Sequence, residues 1–221
     1  MSLGEYKGSS LTRGLYHFNN DVTTDSSGYG YNLTNTGSVS LANLGKFNKG
    51  ADFGNTNNNG KRLEIASNLG LSLTSDITVG MWIMIKAAPS GGNQRILDFR
   101  TGAGYLLIDF QYAIVPYYFR FSASGVDIKY YDTFLLNKYY FISITLSTAG
   151  ESIGYINGNS IGTVTRGATA VGNTFAIGNC LAPANFNLGA IYDEFFAEQR
   201  LWSAQDMKRY YTNAMGRFGI I

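Results

Sequence analysis

Short apolar segments alternate with turns rich in Gly, Asn and Ser from residue 14 onward, at intervals of roughly 8–15 residues. Segment 77–85 is apolar on both faces of an extended chain, which is typical of a strand in the middle of a sheet. Segment 139–146 alternates, which predicts a strand with one core face and one more polar face. Between two later apolar runs, Asn157 and Gly158 supply the positive φ angles of a two-residue type I′ hairpin.

One helix is predicted near the C-terminus. Ser203 is placed to cap it, with Asp206 three residues later as in a capping box. An apolar stripe at helical spacing follows, formed by Met207, Tyr210, Tyr211 and Ala214. Gly216 is placed to end the helix. Because segment 192–197 directly before it resembles a strand, we expect the helix to pack on the end of a sheet.

Composition supports an all-β domain with many tight turns. Charged residues make up 14% of the chain, well below the usual ~25%, and Gly occurs 27 times in 221 residues. Abundant aromatic residues and low net charge exclude a disordered chain. No internal repeat or linker is visible, so we predict a polar lead-in over residues 1–12 and one domain over residues 13–221.

Charge and cysteine content exclude several classes of partner and site. The net charge is +2 and no run of five or six basic residues occurs, so nucleic acid is not an expected partner. A single cysteine, Cys180, excludes an intrachain disulfide and a cysteine-rich zinc site. No run of 18 apolar residues is present, so no membrane span is expected.

Five segments, in order across residues 14–212, carry a family resemblance. They are 15–20 with Asp25-Ser26-Ser27-Gly28; 45–54 with 63–65; 76–83, which contains Trp82; 139–148 with the hairpin at 155–158; and 189–195 with Leu201-Trp202-Ser203 and the helix. The chain resembles the laminin-G-like domains of the concanavalin A-like lectin/glucanase superfamily, of the bacterial and viral type. The resemblance implies a two-sheet antiparallel jelly-roll sandwich with one short C-terminal helix.

A structural calcium ion is the cofactor that the resemblance implies, matched by Asp25 and Asp193. Calcium takes six to eight oxygen ligands. Asp25 and the carbonyls of turn 26–28 form half of such a site, which Asp193 and Glu194 complete if the first and last strands are neighbours. The alternative is that Asp25 only caps its own turn.

Loop tyrosines are the candidate ligand-binding residues. Tyr29 and Tyr31 are expected to offer rings to a sugar, and Tyr112 and Tyr117 to line a sheet face. Aromatic rings cover the apolar C–H faces of sugars, while Asn and Gln side chains bind the hydroxyl groups. The alternative is that these rings pack at the rim of the sandwich.

The last predicted strand carries two carboxylates that invite comparison with a glycosidase motif. Endoglucanases of the superfamily carry Glu-x-Asp-x-Glu on one strand, with the outer carboxyl groups as nucleophile and acid/base. Glu194 and Glu198 share a face here, about 13 Å apart from four strand steps of ~3.3 Å. Phe196 stands where the motif needs Asp. We therefore interpret Glu194 as structural and Glu198 as solvated, and expect no catalytic residues.

The favoured function is a non-catalytic, lectin-type module that binds a carbohydrate or a surface. Few charges and many Asn and Tyr residues suit a neutral, hydroxyl-rich partner such as a glycan or cell-surface polysaccharide. The expected location is extracellular, on a cell surface or on a virion, as part of a secreted, cell-surface or phage tail-like protein. The alternatives are a structural interaction module that contacts other virion or surface proteins and, third, a glycoside hydrolase.

Overall fold

The computed structural model describes residues 5–56, 60–72, 75–88, 92–101, 104–112, 117–165, 173–179 and 188–215. The strands are β1 (Thr12–Tyr16), β2 (Thr34–Thr36), β3 (Ser40–Ala42), β4 (Gly50–Asp52), β5 (Arg62–Ile65), β6 (Ile77–Ile85), β7 (Gly92–Thr101), β8 (Gly104–Tyr112), β9 (Tyr118–Ala123), β10 (Val126–Tyr131), β11 (Tyr139–Leu146), β12 (Glu151–Ile156), β13 (Asn159–Thr165), β14 (Phe175–Ile177) and β15 (Ala190–Glu198). Helix α1 follows at Ala204–Met215.

The strands form two antiparallel sheets, which confirms the predicted jelly-roll sandwich. One sheet of eight strands has the order β13-β12-β11-β6-β15-β4-β3, with β1 also paired to β15. The other sheet of seven strands has the order β10-β9-β8-β7-β14-β5-β2. The first and last strands are neighbours, with Thr12 opposite Glu198 and Tyr16 opposite Phe195.

The main core lies between the two sheets. Every residue of β6 is buried, as expected for a central strand with β11 and β15 on either side. Tyr140 and Ile142 of β11 enter this core from one sheet, and Phe119 and Phe121 of β9 enter it from the other. Burial of each such large apolar side chain contributes about 2–3 kcal/mol, so this layer dominates the stability of the fold.

A second apolar core covers the outer face of the eight-stranded sheet. Trp82, Phe141 and Phe196 project outward from this sheet and pack under α1. The Phe141 ring lies 4.8 Å from that of Tyr210, and the Trp82 ring stacks on Tyr211 at 5.7 Å. The helix therefore lies over the face of the sheet, and the prediction that it packs on the end is wrong. Its apolar stripe requires a broad apolar surface, which the face provides and the end does not.

The predicted local motifs at both ends of this region are confirmed. Ser203 Oγ accepts a hydrogen bond from the Asp206 N–H at 3.1 Å, and Asp206 Oδ2 accepts one from the Ser203 N–H at 3.0 Å. These reciprocal bonds form the capping box of α1. Gly216, the predicted end of the helix, lies outside the described residues. Asn157 and Gly158 have φ angles of 52° and 74°, as the hairpin between β12 and β13 requires.

The segment before β1 is part of the second core. The Tyr6 ring lies 5.0 Å from Phe196 and 5.6 Å from Trp202. The Tyr6 hydroxyl donates to Glu198 and its main-chain N–H donates to Glu194. These contacts hold residues 5–11 against β15.

A β-bulge in β15 creates the geometry from which the candidate site is built. Asp193 pairs with Trp82 and Phe196 pairs with Gly80, so Glu194 and Phe195 stand opposite a single residue of β6. Glu194 has a φ of 50°. The extra residue of the bulge turns the side chains of Asp193 and Glu194 toward the outer face of the sheet. There Asp193 accepts a hydrogen bond from the Phe47 N–H, and Glu194 accepts one from the Tyr6 N–H. The bulge lies where the edge of β15 passes from β4, paired at 191–192, to β1, paired at 195–198.

Candidate functional site

A polar cavity of about 370 Å³ opens at this gap between β4 and β1. Its walls are residues 17–21, Thr24 and Ser26 from the chain after β1, Asn48 from the turn before β4, and Glu5 from the N-terminal segment. Two adjoining strands that separate at a bulge leave room for a ligand, and the short polar side chains around the gap do not fill it.

His17 lines the cavity and contacts the buried side chain of Glu194. His17 Nδ1 lies 2.7 Å from Glu194 Oε2, and the Glu194 side chain is fully buried. Burial by itself lowers the pKa of His17, but the hydrogen bond and charge of Glu194, with a contribution from Glu5, raise it above its usual value. Burial raises the pKa of Glu194, and the hydrogen bond from His17 opposes this shift. The pair holds the imidazole in one orientation.

Two strained residues flank the same cavity. Phe18 and Glu194 have φ angles of 55° and 50°, in the left-handed region that bulky L-residues rarely adopt. Each such conformation costs about 1–3 kcal/mol and persists where surrounding contacts enforce it, and such residues are concentrated at functional sites. The strain therefore marks this gap as a place where a special backbone shape is maintained.

The cavity presents amide groups that the protein itself leaves available. Asn19 is engaged, because its Nδ2 donates to Glu5 and its Oδ1 accepts from the Lys49 N–H at 3.3 Å. The side-chain amides of Asn20 and Asn48, in contrast, hydrogen-bond to no other residue in the described ranges. An unengaged amide offers both donors and an acceptor, which is the combination that binds sugar hydroxyl groups.

The loop that carries Thr24 and Ser26 continues to the predicted aromatic pair. Tyr29 is 46% exposed, and its ring stacks with that of Tyr31 at a centroid distance of 6.3 Å. The Arg13 guanidinium lies 4.7 Å from the Tyr29 ring centre. The structure thus brings these two predicted residues together and leaves Tyr29 accessible on the cavity loop.

Asp25 organises this loop from within. Its Oδ1 accepts from the N–H groups of Leu15 at 3.1 Å and Ser27 at 2.9 Å, and its Oδ2 accepts from the N–H of Tyr31 at 3.0 Å. The Ser27 hydroxyl also donates to Oδ2, at 2.7 Å. Both carboxylate oxygens are therefore engaged, by Ser27 in the turn and by Leu15 and Tyr31 outside it.

The predicted calcium ligands do not form a ready-made cage. Asp193 is fully buried and accepts the Phe47 N–H at 3.0 Å, while Asp25 is engaged by its own turn. Burial raises the pKa of Asp193 well above its usual range, and the hydrogen bond from the Phe47 N–H opposes this shift. Across the described ranges no group of three or more His, Cys, Asp or Glu side chains is placed to hold a metal ion. Calcium binding stays a prediction for measurement.

The second predicted tyrosine pair lies elsewhere in the sandwich. Tyr112 ends β8, and its side chain lies outside the described residues. Tyr117 stands directly before β9, is half-buried and packs against the main core, with its ring 5.8 Å from Phe110. The contacts of Tyr117 are those of rim packing, the alternative considered for these rings.

The two strand carboxylates have structural partners. Glu198 is fully buried, so the interpretation that it is solvated is wrong. The N-terminal segment and the residues that follow β15 cover this side chain. Its carboxylate accepts hydrogen bonds from Tyr6 Oη, Ser9 Oγ, Thr12 Oγ1, Arg200 Nε and Trp202 Nε1. Neither Glu194 nor Glu198 is exposed to a substrate, so their geometry does not support acid/base chemistry on a glycan.

Local sequence carries a signal for only part of the cavity. The run Asn19-Asn20-Asp21 after β1 was a usable signal, since small amide and carboxyl side chains at the end of a strand are typical of ligand loops. Glu5 and Asn48 carried no local signal, because they meet His17 only through the bulge and the pairing of β4 and β1 with β15.

Sequence comparison identifies the family. A family model described as the concanavalin A-like lectin/glucanases superfamily matches residues 55–205, more than half of the chain. The chain belongs to this superfamily. A search among curated proteins gives no matching sequence. In the described part of the chain, no helix is long and apolar enough to cross a membrane.

Solved structures share the fold at low sequence identity. Domain 4 of AbnA, a GH43 extracellular arabinanase from Geobacillus stearothermophilus solved with arabinotriose, aligns with a TM-score of 0.71 and 16% identity, covering 90% of this chain and 98% of that one. The botulinum neurotoxin DC binding domain with SialylT aligns at 0.69 and 16% identity, covering 92% and 52%. The same toxin domain with rat synaptotagmin II aligns at 0.68 and 16% identity, again covering 92% and 52%. The chain therefore spans about half of each toxin binding domain.

Proposed function

We propose that this chain is a non-catalytic module that binds a glycan in the cavity between β1 and β4. The observation that carries the proposal is the preformed polar cavity of about 370 Å³, whose Asn20 and Asn48 amides are unengaged by the described protein. A cavity of this size accommodates one or two sugar residues. The fold neighbours solved with arabinotriose and with SialylT support a glycan as the class of ligand.

Tyr29 is the expected second contact for a longer glycan. It stands three residues after Ser26, a wall of the cavity, and its exposed ring offers an apolar surface to a sugar ring. A module of this kind acts by attaching a larger protein to a polysaccharide or a cell surface, so we place it outside the cell or on a virion.

Isothermal titration of the chain with a panel of neutral oligosaccharides that includes arabinotriose tests the proposal. Asn20→Ala and Asn48→Ala each remove one unengaged amide, and we expect each to weaken the binding about fivefold to tenfold, as for one or two lost hydrogen bonds. Asn43→Ala is the matched control, because Asn43 is exposed on the same connection as Asn48 but does not line the cavity. Binding that is insensitive to both cavity variants, or no binding to any glycan, contradicts the proposal.

A structural interaction module is the second candidate, favoured by one apolar loop. Tyr131, Leu135 and Leu136 are 54%, 55% and 46% exposed within six residues of one another. Such a group of exposed apolar side chains is typical of a protein-contact surface. Concentration-dependent sedimentation that Leu135→Ser abolishes, together with no glycan binding, favours this candidate over the first.

A further inference from the structure

The charged side chains of the cavity indicate which glycans it would accept. This inference rests on the proposed function. Two carboxylates, Glu5 and Asp21, stand in the walls, and no Lys or Arg is among the described residues that line the cavity. His17 is the one imidazole in the lining, and it is already hydrogen-bonded to the buried Glu194 at 2.7 Å. The described side chains that line the cavity therefore include two acids and no Lys or Arg to balance them.

The hydrogen bonds of the two wall carboxylates fix them in place. Asp21 Oδ1 accepts from the N–H groups of Thr23 at 2.7 Å and Thr24 at 2.6 Å, and its Oδ2 accepts from the Thr24 hydroxyl at 2.7 Å. Burial raises the pKa of Asp21, but the hydrogen bonds from Thr24 and Thr23 together outweigh it and hold that pKa below its usual value. Glu5 is held by the Asn19 side-chain amide. A ligand that enters the cavity meets these charges in fixed positions.

We infer that the cavity selects uncharged glycans and rejects those that carry a carboxylate, with Glu5 and Asp21 as the specificity-determining residues. A carboxylate on the ligand would be placed beside two protein carboxylates with no cation to offset them. Repulsion between like charges in a partly desolvated site lowers the affinity for the ligand. Glu5 and Asp21 therefore disfavour a glycan that carries a carboxylate. The hydroxyl groups of a neutral sugar, in contrast, donate hydrogen bonds to a carboxylate.

Matched ligand pairs test this inference. We would titrate the chain with lactose and 3′-sialyllactose, and with galactotriose and trigalacturonic acid, where each pair compares a neutral sugar with an acidic counterpart. The expected result is at least about tenfold weaker binding of the acidic member at low salt, with the difference shrinking as ionic strength rises. The double variant Glu5→Gln and Asp21→Asn should reduce the neutral-to-acidic affinity ratio by about tenfold. The amides keep an acceptor for the Asn19, Thr23 and Thr24 donors.

Glu151→Gln is the control, because Glu151 is an exposed carboxylate at the start of β12 and does not line the cavity. It should leave the ratio unchanged. Equal or tighter binding of the acidic members, weakened by Asn20→Ala and Asn48→Ala, would overturn the inference and leave the proposed function standing. If no sugar of either kind binds, the proposed function and the inference fail together. A ratio that the double variant does not change overturns the assignment to Glu5 and Asp21.

Discussion

Glu198→Gln separates a structural carboxylate from a catalytic one. Glu198 Oε2 accepts from Arg200 Nε at 2.5 Å and from Trp202 Nε1 at 2.6 Å, and neither of these donors can act as an acceptor. Oε1 accepts from three hydroxyl groups, of which Thr12 Oγ1 lies at 2.8 Å. A glutamine can keep its oxygen toward Arg200 and Trp202 only by turning its NH₂ toward the hydroxyls.

The magnitude follows from what the amide loses. Charge-assisted hydrogen bonds contribute about 1.5–3 kcal/mol each, against about 1 kcal/mol for neutral ones. The Arg200 contribution is discounted because its side chain is 43% exposed. We expect Glu198→Gln to lower the free energy of unfolding by about 2 kcal/mol, which is about 4–8 °C in Tm for a chain of this size.

The pH dependence gives an independent check. Burial alone would raise the pKa of Glu198, but hydrogen bonds from Tyr6, Arg200, Trp202 and Thr12 lower it below the usual value. A folded-state pKa below the unfolded one adds stability that is present above the unfolded pKa and is lost as the pH falls through the folded pKa. The difference between wild type and Glu198→Gln should therefore be full at pH 7 and shrink on acidification.

Chemical denaturation and thermal melting at pH 7 and at acidic pH, combined with a glycan-hydrolysis panel, measure these effects. The control is Glu151→Gln, which changes an exposed carboxylate and should stay within about 0.5 kcal/mol of wild type. A Glu198→Gln chain as stable as wild type, in which hydrolysis of a glycan is lost, would refute the structural role and restore the glycosidase alternative.

Three further outcomes are expected. Tyr29→Ala should weaken glycan binding about threefold to tenfold in titrations, while Tyr29→Phe and the control Tyr131→Ala, at a tyrosine that is also exposed, retain it. His17→Ala removes the hydrogen bond between His17 and the buried Glu194 and should cost about 2 kcal/mol in urea unfolding; a cost below about 0.5 kcal/mol contradicts the pairing. A bound calcium ion would make a chelator lower the Tm and added calcium restore it, whereas an unchanged Tm at millimolar calcium, with Asp25 engaged by its own turn, removes the calcium prediction.

Local sequence was sufficient where neighbours along the chain decide the structure. The apolar run at β6, the Asn157-Gly158 turn and the Ser203-Asp206 capping box are all set within a few residues, and each is confirmed. The order of the family segments also predicted the two-sheet sandwich, because these segments are the strands and turns that the fold requires.

The outer face of the eight-stranded sheet shows where local pattern was not sufficient. The alternation in β11 predicted one more polar face, yet β11 is buried on both faces except at Tyr139, because Phe141 and Ser143 lie under α1. The N-terminal segment and Trp202 bury Glu198, which sequence alone placed in solvent. Which face receives a helix depends on contacts between distant residues, and the period of a strand does not record them.

The sequence by itself determined the fold class, the positions of the strongest strands, the hairpin and the helix. Only the tertiary structure decided the site. The bulge at Glu194 is a single extra residue in the pairing of β15 with β6, and the cavity exists because β4 and β1 share one edge of β15 on either side of it. Glu5, His17 and Asn48 are far apart in the sequence and line the same gap because of how the strands pair. Strand register depends on contacts between distant residues, so no short segment of the sequence specifies it.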